Sequence, residues 1–263
     1  MCGRGKNNVC RGGVNLAAAR LTPTKLGINR AKAFSPNKTT LWQPSMSDLQ
    51  NMRQTYTAGR LDQSDVADDP MVQFQRMFKA AASVEVPDWL EINAMTLSTT
   101  DGTSPTSRVV LLKGNRTTDA GPTWTFYSNY NSTKAKQIQS HPDVTLGFYW
   151  PHTQQQIRIE GTATKSDRQR SIDYFHSRPR ESQLGAVASD QSTVLASRET
   201  LQTRWDELRQ QYEGQTIPCP DHWGGYDVVG HRIEFWQGRP GRLHDRLQYE
   251  RSGDRWIIRR LAP

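Results

Sequence analysis

The sequence has few cysteines, and their positions exclude a disulfide framework. Three occur among the 263 residues, at Cys2, Cys10 and Cys219, and none forms a CxxC pair. Scattered cysteines of this kind are typical of a reduced, intracellular protein. The six histidines contain no HxxxH or HExxH spacing, so we expect no metal site.

Long apolar runs and nucleotide-binding motifs are also missing. Hydrophobic residues make up 35% of the chain, and the mean hydropathy is -0.77. No stretch approaches the ~20 apolar residues of a transmembrane helix, and no apolar core of a secretory signal is present, so we expect no membrane partner. Neither a GxGxxG after a strand nor a Walker sequence occurs, which leaves Rossmann and P-loop folds unsupported. Eight tryptophans, eight tyrosines and seven phenylalanines argue against wholesale disorder.

Acidic residues are absent from residues 1–47, which we define as the basic arm. The arm carries eight basic residues: Arg4, Lys6, Arg11, Arg20, Lys25, Arg30, Lys32 and Lys38. The remaining 26 basic residues equal the 26 acidic ones, so the net charge of +8 lies entirely in the arm. Nucleic-acid binding requires a basic patch on a folded face. We therefore expect no nucleic-acid partner.

These boundaries predict two parts, the arm at 1–47 and one domain at 48–263. The composition of the arm suits a transit peptide over residues 1–45, which would place the protein in an organelle. It equally suits a disordered tail, or an extension upstream of an alternative start at Met46. Without a transit peptide, the predicted location is the cytoplasm.

Alternating apolar residues predict a mainly β domain with short helices between the strands. Asp69 and Pro70 are typical of a helix start. Further helices are predicted after Ser132, after a Ser166/Gln169 capping box, around Arg178–Ser189 and after Ser197. Strands are predicted at 94–100, 106–113, 123–128, 144–150, 155–164 and 223–236, and closing strands at 243–259 with a turn at Ser252-Gly253. Because most strands follow one another as hairpins, the pattern favours an antiparallel barrel over a doubly wound sheet.

The segment Glu234–Arg246, EFWQGRPGRLHDR, groups an aromatic ring, several cations and a histidine within thirteen residues. A strand ending in Trp236 is followed by a Gly/Pro loop and then by Arg242, His244 and Arg246. Buried charges need partners, so this cluster either pairs internally or binds an anionic ligand. The alternative is a solvated end of a hairpin.

Two further segments place cations near strand ends. Arg108 and Lys113 flank a four-residue aliphatic run, and their spacing predicts that they point to opposite faces of a strand. Ser128–Lys134 joins a strand to a helix N-terminus, where free N–H groups can bind an anion. Simple capping, and cations exposed to water at the strand ends, are the alternatives.

A third segment, Tyr174–Gln183, presents hydroxyl and guanidinium donors suited to phosphate, and Gln191 and Ser192 add more. Together with the donors near the strand ends, they make two anion-binding sets. Gln156 and Trp236 suit a planar heterocycle. These residues indicate a phosphorylated cofactor that meets a phosphorylated substrate.

Several tracts resemble the pyridoxine/pyridoxamine 5′-phosphate oxidase family. In order they are RVVLLKG (108–114), QIRIEG (156–161), YFHSRPRESQLGAVASDQS (174–192), WGGY (223–226), EFWQG (234–238) and RLHDR (242–246), with RLAP at the end. The resemblance covers about residues 46–263. It implies a homodimeric split β-barrel of the FMN-binding type, with FMN at the subunit interface.

The resemblance also implies roles for individual residues. Cofactor-binding residues would be Arg108, Val109, Val110, Leu111, Tyr127, Ser128, Lys134, Gln156, Gln191, Ser192, Trp236 and Arg246. Substrate-binding residues would be Lys113, Tyr174, Arg178, Ser182, Arg242, Leu243 and His244, with Arg53 and Tyr56 from an N-terminal segment. Arg242 and His244 would be catalytic, close to the reacting carbon. Thr133 stands where the family commonly has an arginine, which predicts weaker FMN binding by roughly one to two decades if no other group compensates.

The implied reaction is oxidation of pyridoxine 5′-phosphate and pyridoxamine 5′-phosphate to pyridoxal 5′-phosphate. Hydride would pass to the flavin, and O₂ would be reduced to H₂O₂. Two rival functions remain: another split-barrel flavoprotein with a different substrate, and a nonenzymatic binding module that uses the basic arm. The first would not need the residues that the resemblance assigns to the substrate phosphate: Lys113, Tyr174, Arg178 and Ser182. Arg108 and Lys134 are those it assigns to the FMN phosphate. The second rival predicts a colourless protein whose binding weakens steeply with salt.

Overall fold

The computed structural model describes residues 46–263. The predicted transit peptide and nearly all of the basic arm lie outside this range. Contacts divide the chain between Met52 and Arg53. Helix α1 (Met46–Asn51) belongs to the first unit, and every other element belongs to the second. The arm boundary at residue 47 and the nature of the arm stay predictions.

The second unit contains nine strands and five α-helices within its described residues. The helices are α2 (Pro70–Ala82), α3 (Thr133–Ser140), α4 (Arg168–Ser177), α5 (Arg180–Ala188) and α6 (Arg198–Gln211). The strands are β1 (Ala94–Thr100), β2 (Pro105–Leu111), β3 (Gly114–Thr118), β4 (Gly121–Asn129), β5 (Asp143–Trp150), β6 (Gln155–Lys165), β7 (Trp223–Gln237), β8 (Asp245–Ser252) and β9 (Arg255–Arg260).

All strand pairs are antiparallel and form one sheet in the order β2-β1-β5-β6-β7-β4-β3, with β8 on β7 and β9 on β8. The long strand β7 pairs with β6 along one side. Along its other side it pairs first with β4 and then with β8, which splits the sheet. Just after β2, Lys113 N donates to Thr125 O of β4 at 2.8 Å, yet the sheet stays open. The fold is therefore an antiparallel, loosely barrel-like sheet of the split-barrel type, as predicted.

Helix α2 covers the core side of the sheet. Its predicted cap is confirmed, because Asp69 Oδ1 accepts from Met71 N at 2.6 Å and from Val72 N at 3.2 Å. Phe74 is fully buried and packs edge-on against Trp124 and Phe148, each at 5.4 Å between ring centroids. Burying a phenylalanine side chain stabilises a fold by about 1.5–3 kcal/mol, so this contact anchors the helix on the sheet.

A second, smaller cluster holds α4 and α5 against the start of β7. Phe175, Leu184, Ile217 and Trp223 are its buried members. Phe175 and Trp223 meet edge to face at 5.3 Å. This cluster matters for function because it fixes the link between α4 and α5, where several predicted site residues lie.

One local prediction is wrong, one turn is confirmed and one strand was missed. The cap of α4 is Asp167, which accepts from Arg170 N at 3.0 Å, so the Ser166/Gln169 capping box was wrong. The closing strands predicted at 243–259 are β8 and β9, and the predicted turn at Ser252-Gly253 joins them, with Gly253 at φ of 60°. Strand β3 was missed because its sequence, GNRTT, has no apolar alternation.

Candidate functional site

A cavity of ≈ 780 Å³ opens between β2, the end of β4, the start of α3 and the α4–α5 link. This volume falls within the range of small-molecule sites, about 300–1,000 Å³. We call it the cation cavity. Its lining consists of Arg108, Val109, Val110, Leu111, Lys113, Tyr127, Ser128, Asn129, Lys134, Tyr174, Arg178, Pro179, Ser182, Gly185, Ala186, Ser189, Gln191 and Trp223.

The charge of the lining is entirely positive. Two lysines and two arginines contribute to it, and no aspartate or glutamate does. Cations clustered in a cleft with low-dielectric walls raise the local potential and attract anions. The cation cavity is therefore suited to a ligand that carries more than one negative charge.

Lys134 lies in the first turn of α3, and its partners within residues 46–263 are all neutral. Its ammonium donates to Gln191 Oε1 at 2.7 Å, to Ser128 Oγ at 3.0 Å and to Ser132 Oγ at 3.3 Å. Burial, and then the nearby Arg108 charge, lower the pKa of Lys134 to about 8. A bound anion would remove this penalty, because an opposite charge favours the ammonium form.

Arg108 is held by the edge strands. It donates to Leu97 O at 3.2 Å and to Thr99 Oγ1 at 2.6 Å, and burial lowers its pKa. The prediction that Arg108 and Lys113 point to opposite faces of one strand was wrong. Strand β2 ends at Leu111, so Lys113 leaves the strand and both cations line the same cavity.

Arg178 reaches the cavity because α4 ends before Pro179. The residue before a proline is disfavoured in helical geometry, and Arg178 is extended, with ψ of 152°. Its guanidinium lies 4.8 Å from the ring centroid of Trp223. Nη1 is buried without a hydrogen-bond partner among the described residues, and burial lowers the pKa of Arg178. An unpaired, buried donor of this kind fits an anionic ligand.

Stacked aromatic rings form one wall of the cavity. Tyr127 and Tyr174 stack at 4.0 Å with an interplanar angle of 24°, and Tyr127 stacks on Trp223 at 5.4 Å and 12°. Burial is the main cause of the raised pKa of Tyr127, which keeps its phenol protonated. The glycine after Trp223 is required here, because a Cβ on Gly224 would collide with the Tyr130 hydroxyl.

A second group of predicted residues lies on the outer face of the sheet. Cross-strand register aligns Tyr149, Gln156, Trp236 and Arg246 in one row across β5, β6, β7 and β8. Residues directly opposite one another in a sheet share a face. The row therefore presents a phenol, an amide, an indole and a guanidinium side by side.

His244 lies beside this row, after a turn in which Arg242 has φ of 61°. Its ring centroid is 4.7 Å from that of Trp236. Arg239 N donates to His244 Nδ1 at 3.1 Å, so the neutral imidazole carries its proton on Nε2. Burial, and then Arg242, lower the pKa of His244. The ring is thus a neutral hydrogen-bond donor at Nε2.

Arg246 is fixed by protein partners. It forms two hydrogen bonds with the buried Glu234 carboxylate, from Nε at 2.8 Å and from Nη2 at 3.1 Å. Its Nη1 donates to Ala262 O at 2.8 Å. Paired in this way, Arg246 ties the C-terminal residues to the outer face.

Tyr56 completes what we call the turn cluster: Tyr56, Gln156, Trp236, Arg242, Leu243, His244 and Arg246. Its ring lies edge-on to Trp236 at 5.8 Å and to His244 at 5.6 Å. A Cβ on Gly238 would lie 2.8 Å from Tyr56 Cγ, so the glycine of FWQG allows this approach. Arg53 lies three residues earlier and is exposed.

The predicted residues therefore fall into two groups. The cation cavity holds the residues predicted for both phosphates, whereas no member of the turn cluster lines it. Arg242 and Leu243 are exposed, Leu243 at 73%. Ser192 is also exposed and has φ of 74°; it follows Gln191 but does not line the cavity. Thr133 is likewise exposed and absent from the lining.

Sequence reasoning missed several residues of both groups. Asn129, Pro179, Gly185, Ala186, Ser189 and Trp223 line the cavity, and Tyr149 joins the outer row. Trp223 stood within WGGY, but a lone tryptophan at a strand start gives no sign of its stacking partners. Tyr149 could have been found from the predicted strands, because it alternates with buried Phe148 and Trp150.

Two properties of residues 46–263 bear on the class of protein. No helix in this range is both long and apolar enough to cross a membrane. No three His, Cys, Asp or Glu side chains of these described residues are grouped so that they could hold a metal ion.

Comparison with known proteins identifies the family. Residues 84–212 match the family described as pyridoxamine 5′-phosphate oxidase, and residues 223–263 match the pyridoxine 5′-phosphate oxidase C-terminal dimerisation region. A pyridoxine/pyridoxamine 5′-phosphate oxidase of Rhodopirellula baltica is 49% identical over 220 residues, which are 82% of this chain and 96% of that protein. A protein of the same name from Synechocystis is 46% identical over 216 residues, 82% of this chain and 98% of that protein.

Solved structures agree on the fold. The crystal structure of PhzG from Burkholderia lata, in complex with tetrahydrophenazine-1-carboxylic acid, has a TM-score of 0.68 at 28% identity and covers 76% of this chain and 95% of PhzG. A pyridoxamine 5′-phosphate oxidase-related, FMN-binding protein of Nostoc punctiforme has a TM-score of 0.55 at 17% identity, over 72% of this chain and 95% of that protein. From sequence, fold and extent of the match together, this chain belongs to the pyridoxine/pyridoxamine 5′-phosphate oxidase family.

Proposed function

We propose that the protein is an FMN-dependent oxidase that converts pyridoxine 5′-phosphate and pyridoxamine 5′-phosphate to pyridoxal 5′-phosphate. The observation that carries the proposal is the cation cavity, which combines four cations, no carboxylate and a stacked aromatic wall. Such a lining suits two phosphorylated, planar molecules. Membership of the family supports the same reaction.

The donors at the N-terminus of α3 fit the phosphate of FMN. Lys134 and Arg108 would bind its oxygens, and Ser128 and Gln191 already hold the Lys134 ammonium in place. The exposed backbone N–H groups at the start of α3 add to this site. When bound, FMN supplies a hydride acceptor and passes the electrons to O₂, which yields H₂O₂.

The donors of α4 and α5 would bind the phosphate of the substrate. Arg178 offers a buried N–H that has no partner among residues 46–263, and Lys113, Tyr174 and Ser182 line the same cavity. A phosphate bound there, away from the reacting carbon, would contribute binding energy that orients the pyridine ring. These residues therefore favour phosphorylated substrates.

The turn cluster would complete the site from a second copy of the chain. Each protomer carries both groups of residues, and the cluster lies outside its own cavity. A two-fold dimer brings the same pair of surfaces together twice, and the C-terminal region matches a dimerisation region. In the proposed homodimer, the Trp236 and Gln156 side chains of one protomer contact the cofactor ring bound by its partner.

Arg242 and His244 would act on the substrate ring. His244 holds a proton on Nε2 and can donate a hydrogen bond to a substrate oxygen or nitrogen. Arg242 is exposed and positively charged, so it can cover the ring and stabilise negative charge.

The proposed location is the cytoplasm, or an organelle if residues 1–45 are a transit peptide.

Raising the pH from about 7 to about 9 is expected to weaken FMN binding, because Lys134 loses its proton near pH 8 in the empty cavity. Phosphate requires the charged ammonium, so above pH 8 binding takes up a proton and Kd rises about tenfold per pH unit.

Folded Lys134 has a lower pKa than the 10.5 of an unperturbed lysine. The unfolded chain therefore binds more protons between these values, and stability of the FMN-free protein rises with pH there.

Fluorescence titration of FMN across this pH range measures the effect. Lys134→Arg is the matched control, since an arginine stays charged throughout and should abolish the break near pH 8. A Kd for the unsubstituted protein that stays constant from about pH 7 to 9 would contradict the assignment of Lys134.

The visible spectrum during anaerobic addition of pyridoxamine 5′-phosphate tests the proposed function. A flavin band that bleaches on addition and returns with air supports both cofactor and substrate. A band that does not bleach favours another split-barrel flavoprotein, with a substrate that lacks the phosphate. A protein that stays colourless after FMN is added favours a nonenzymatic binding module.

A further inference from the structure

Gln154 lies in the turn between β5 and β6 and has an unusual backbone. Its φ is 54°, a region that side chains other than glycine rarely adopt. Among described non-glycine residues, only Gln154, Ser192 and Arg242 have positive φ. The other two are predicted site residues. Strained residues persist where their surroundings fix them, and they cluster at functional sites.

The side chain of Gln154 forms hydrogen bonds with the segment that carries Tyr56. Its Oε1 accepts from Thr57 N at 2.7 Å and from Ala58 N at 2.9 Å. These are consecutive, exposed backbone donors in a segment that belongs to no strand, with a bend at Ala58. One amide oxygen therefore fixes both the position and the direction of the chain directly after Tyr56.

The backbone of Gln154 joins the same segment to the end of β7. Gln154 O accepts from Gly238 N at 2.8 Å and from Gln237 Nε2 at 3.2 Å. Gly238 is the residue against which the Tyr56 ring lies. Gln154 thus connects both sides of the contact between Tyr56 and the FWQG loop.

Contacts further along the chain also hold the segment. Arg239 Nη1 donates to Gly59 O at 3.0 Å, and Leu61 N donates to Asp245 Oδ2 at 3.0 Å. Neither reaches the residues next to Tyr56. The Tyr56 side chain also hydrogen-bonds with Tyr149, whereas Gln154 binds the backbone directly after Tyr56.

We propose that Gln154 is a positioning residue that acts through Tyr56 on the substrate side of the turn cluster. This inference rests on the proposed function. By holding Thr57 and Ala58, Gln154 keeps the Tyr56 ring against Trp236 and His244. The left-handed backbone is what directs its amide at these two N–H groups.

Two variants separate the side chain from the backbone. Gln154→Gly keeps the positive φ without strain but removes the acceptor, whereas Gln154→Glu keeps an acceptor at the same reach. In the FMN-loaded full chain, Gln154→Gly should speed hydrogen exchange of the Thr57 and Ala58 amides at least about tenfold. It should lower kcat/KM for pyridoxamine 5′-phosphate about tenfold, as expected for two lost hydrogen bonds, and leave the Kd of FMN within about twofold. Gln154→Glu should restore both exchange and kcat/KM.

Each outcome decides a separate point. Unchanged amide exchange in Gln154→Gly would show that the Gln154 side chain does not hold Thr57 and Ala58, whatever the activity. Faster exchange with unchanged kcat/KM overturns the positioning role. If the unsubstituted holoenzyme does not oxidise pyridoxamine 5′-phosphate, the proposed function fails, and the substrate-side role of Gln154 fails with it. The exchange data still decide whether Gln154 holds Thr57 and Ala58.

Discussion

Arg178→Ala is expected to lower kcat/KM for pyridoxamine 5′-phosphate by about 10- to 150-fold. The guanidinium has a buried N–H without a partner in the part of the chain that the structure describes, and it lies over the Trp223 ring, so its position is set before any ligand arrives. A hydrogen bond to a charged group contributes about 1.5–3 kcal/mol, which corresponds to this range. The loss should appear mainly in KM, because the phosphate is bound in the ground state and in the transition state alike.

Steady-state kinetics with two substrates measure this effect. Unphosphorylated pyridoxamine should be turned over equally slowly by the variant and the unsubstituted enzyme, since it has no phosphate to lose. Arg180→Ala is the matched control, because Arg180 donates to Tyr212 O and Gln215 O and does not line the cavity. An equal loss on both substrates would mean that Arg178 does not bind the substrate phosphate.

Replacing both Arg108 and Lys134 by alanine is expected to weaken FMN binding at least about a hundredfold. Each cation is worth about 1.5–3 kcal/mol toward a phosphate. The two are close enough for the Arg108 charge to lower the pKa of Lys134. Their contributions are therefore coupled, and the total should fall short of the simple sum.

Fluorescence titration, together with the flavin content of the purified protein, measures the loss. Lys136→Ala is the matched control, because Lys136 lies two residues further along α3, is exposed and lies outside the cavity lining. FMN binding by the double variant within about threefold of the unsubstituted protein would place the cofactor phosphate elsewhere. It would also leave the low pKa of Lys134 without a functional reason.

Much of the fold followed from local patterns. The β5 and β6 strands alternate buried with exposed residues, and Asp69-Pro70 marks a helix start by elementary capping chemistry. Strand β3 could not be predicted, because five polar or small residues contain no alternation and the strand depends on pairing with β4. The cap of α4 was misplaced by one residue, since Ser166 and Asp167 are both good caps and tertiary contacts decide between them.

The donors of the site were predictable, but their grouping was not. Cations and hydroxyls near strand and helix ends indicate phosphate-binding residues in a sequence. Whether Arg108 and Lys113 share a cavity depends on where β2 ends, and the sequence does not mark that end. The division between cation cavity and turn cluster arises from long-range register between β5, β6, β7 and β8. Gln154 escaped notice because its role depends on a backbone angle.

The proposed composite site is tested most directly by mixing two impaired variants and assaying them with pyridoxamine 5′-phosphate well below the KM of the unsubstituted enzyme. Arg178→Ala damages the cation cavity, and Arg242→Ala damages the turn cluster. Co-expressed with different tags and purified together, random dimers contain one intact site in every heterodimer, so activity should recover to about 25% of the unsubstituted enzyme. Activity no greater than the mean of the two variants alone would contradict a site shared between protomers.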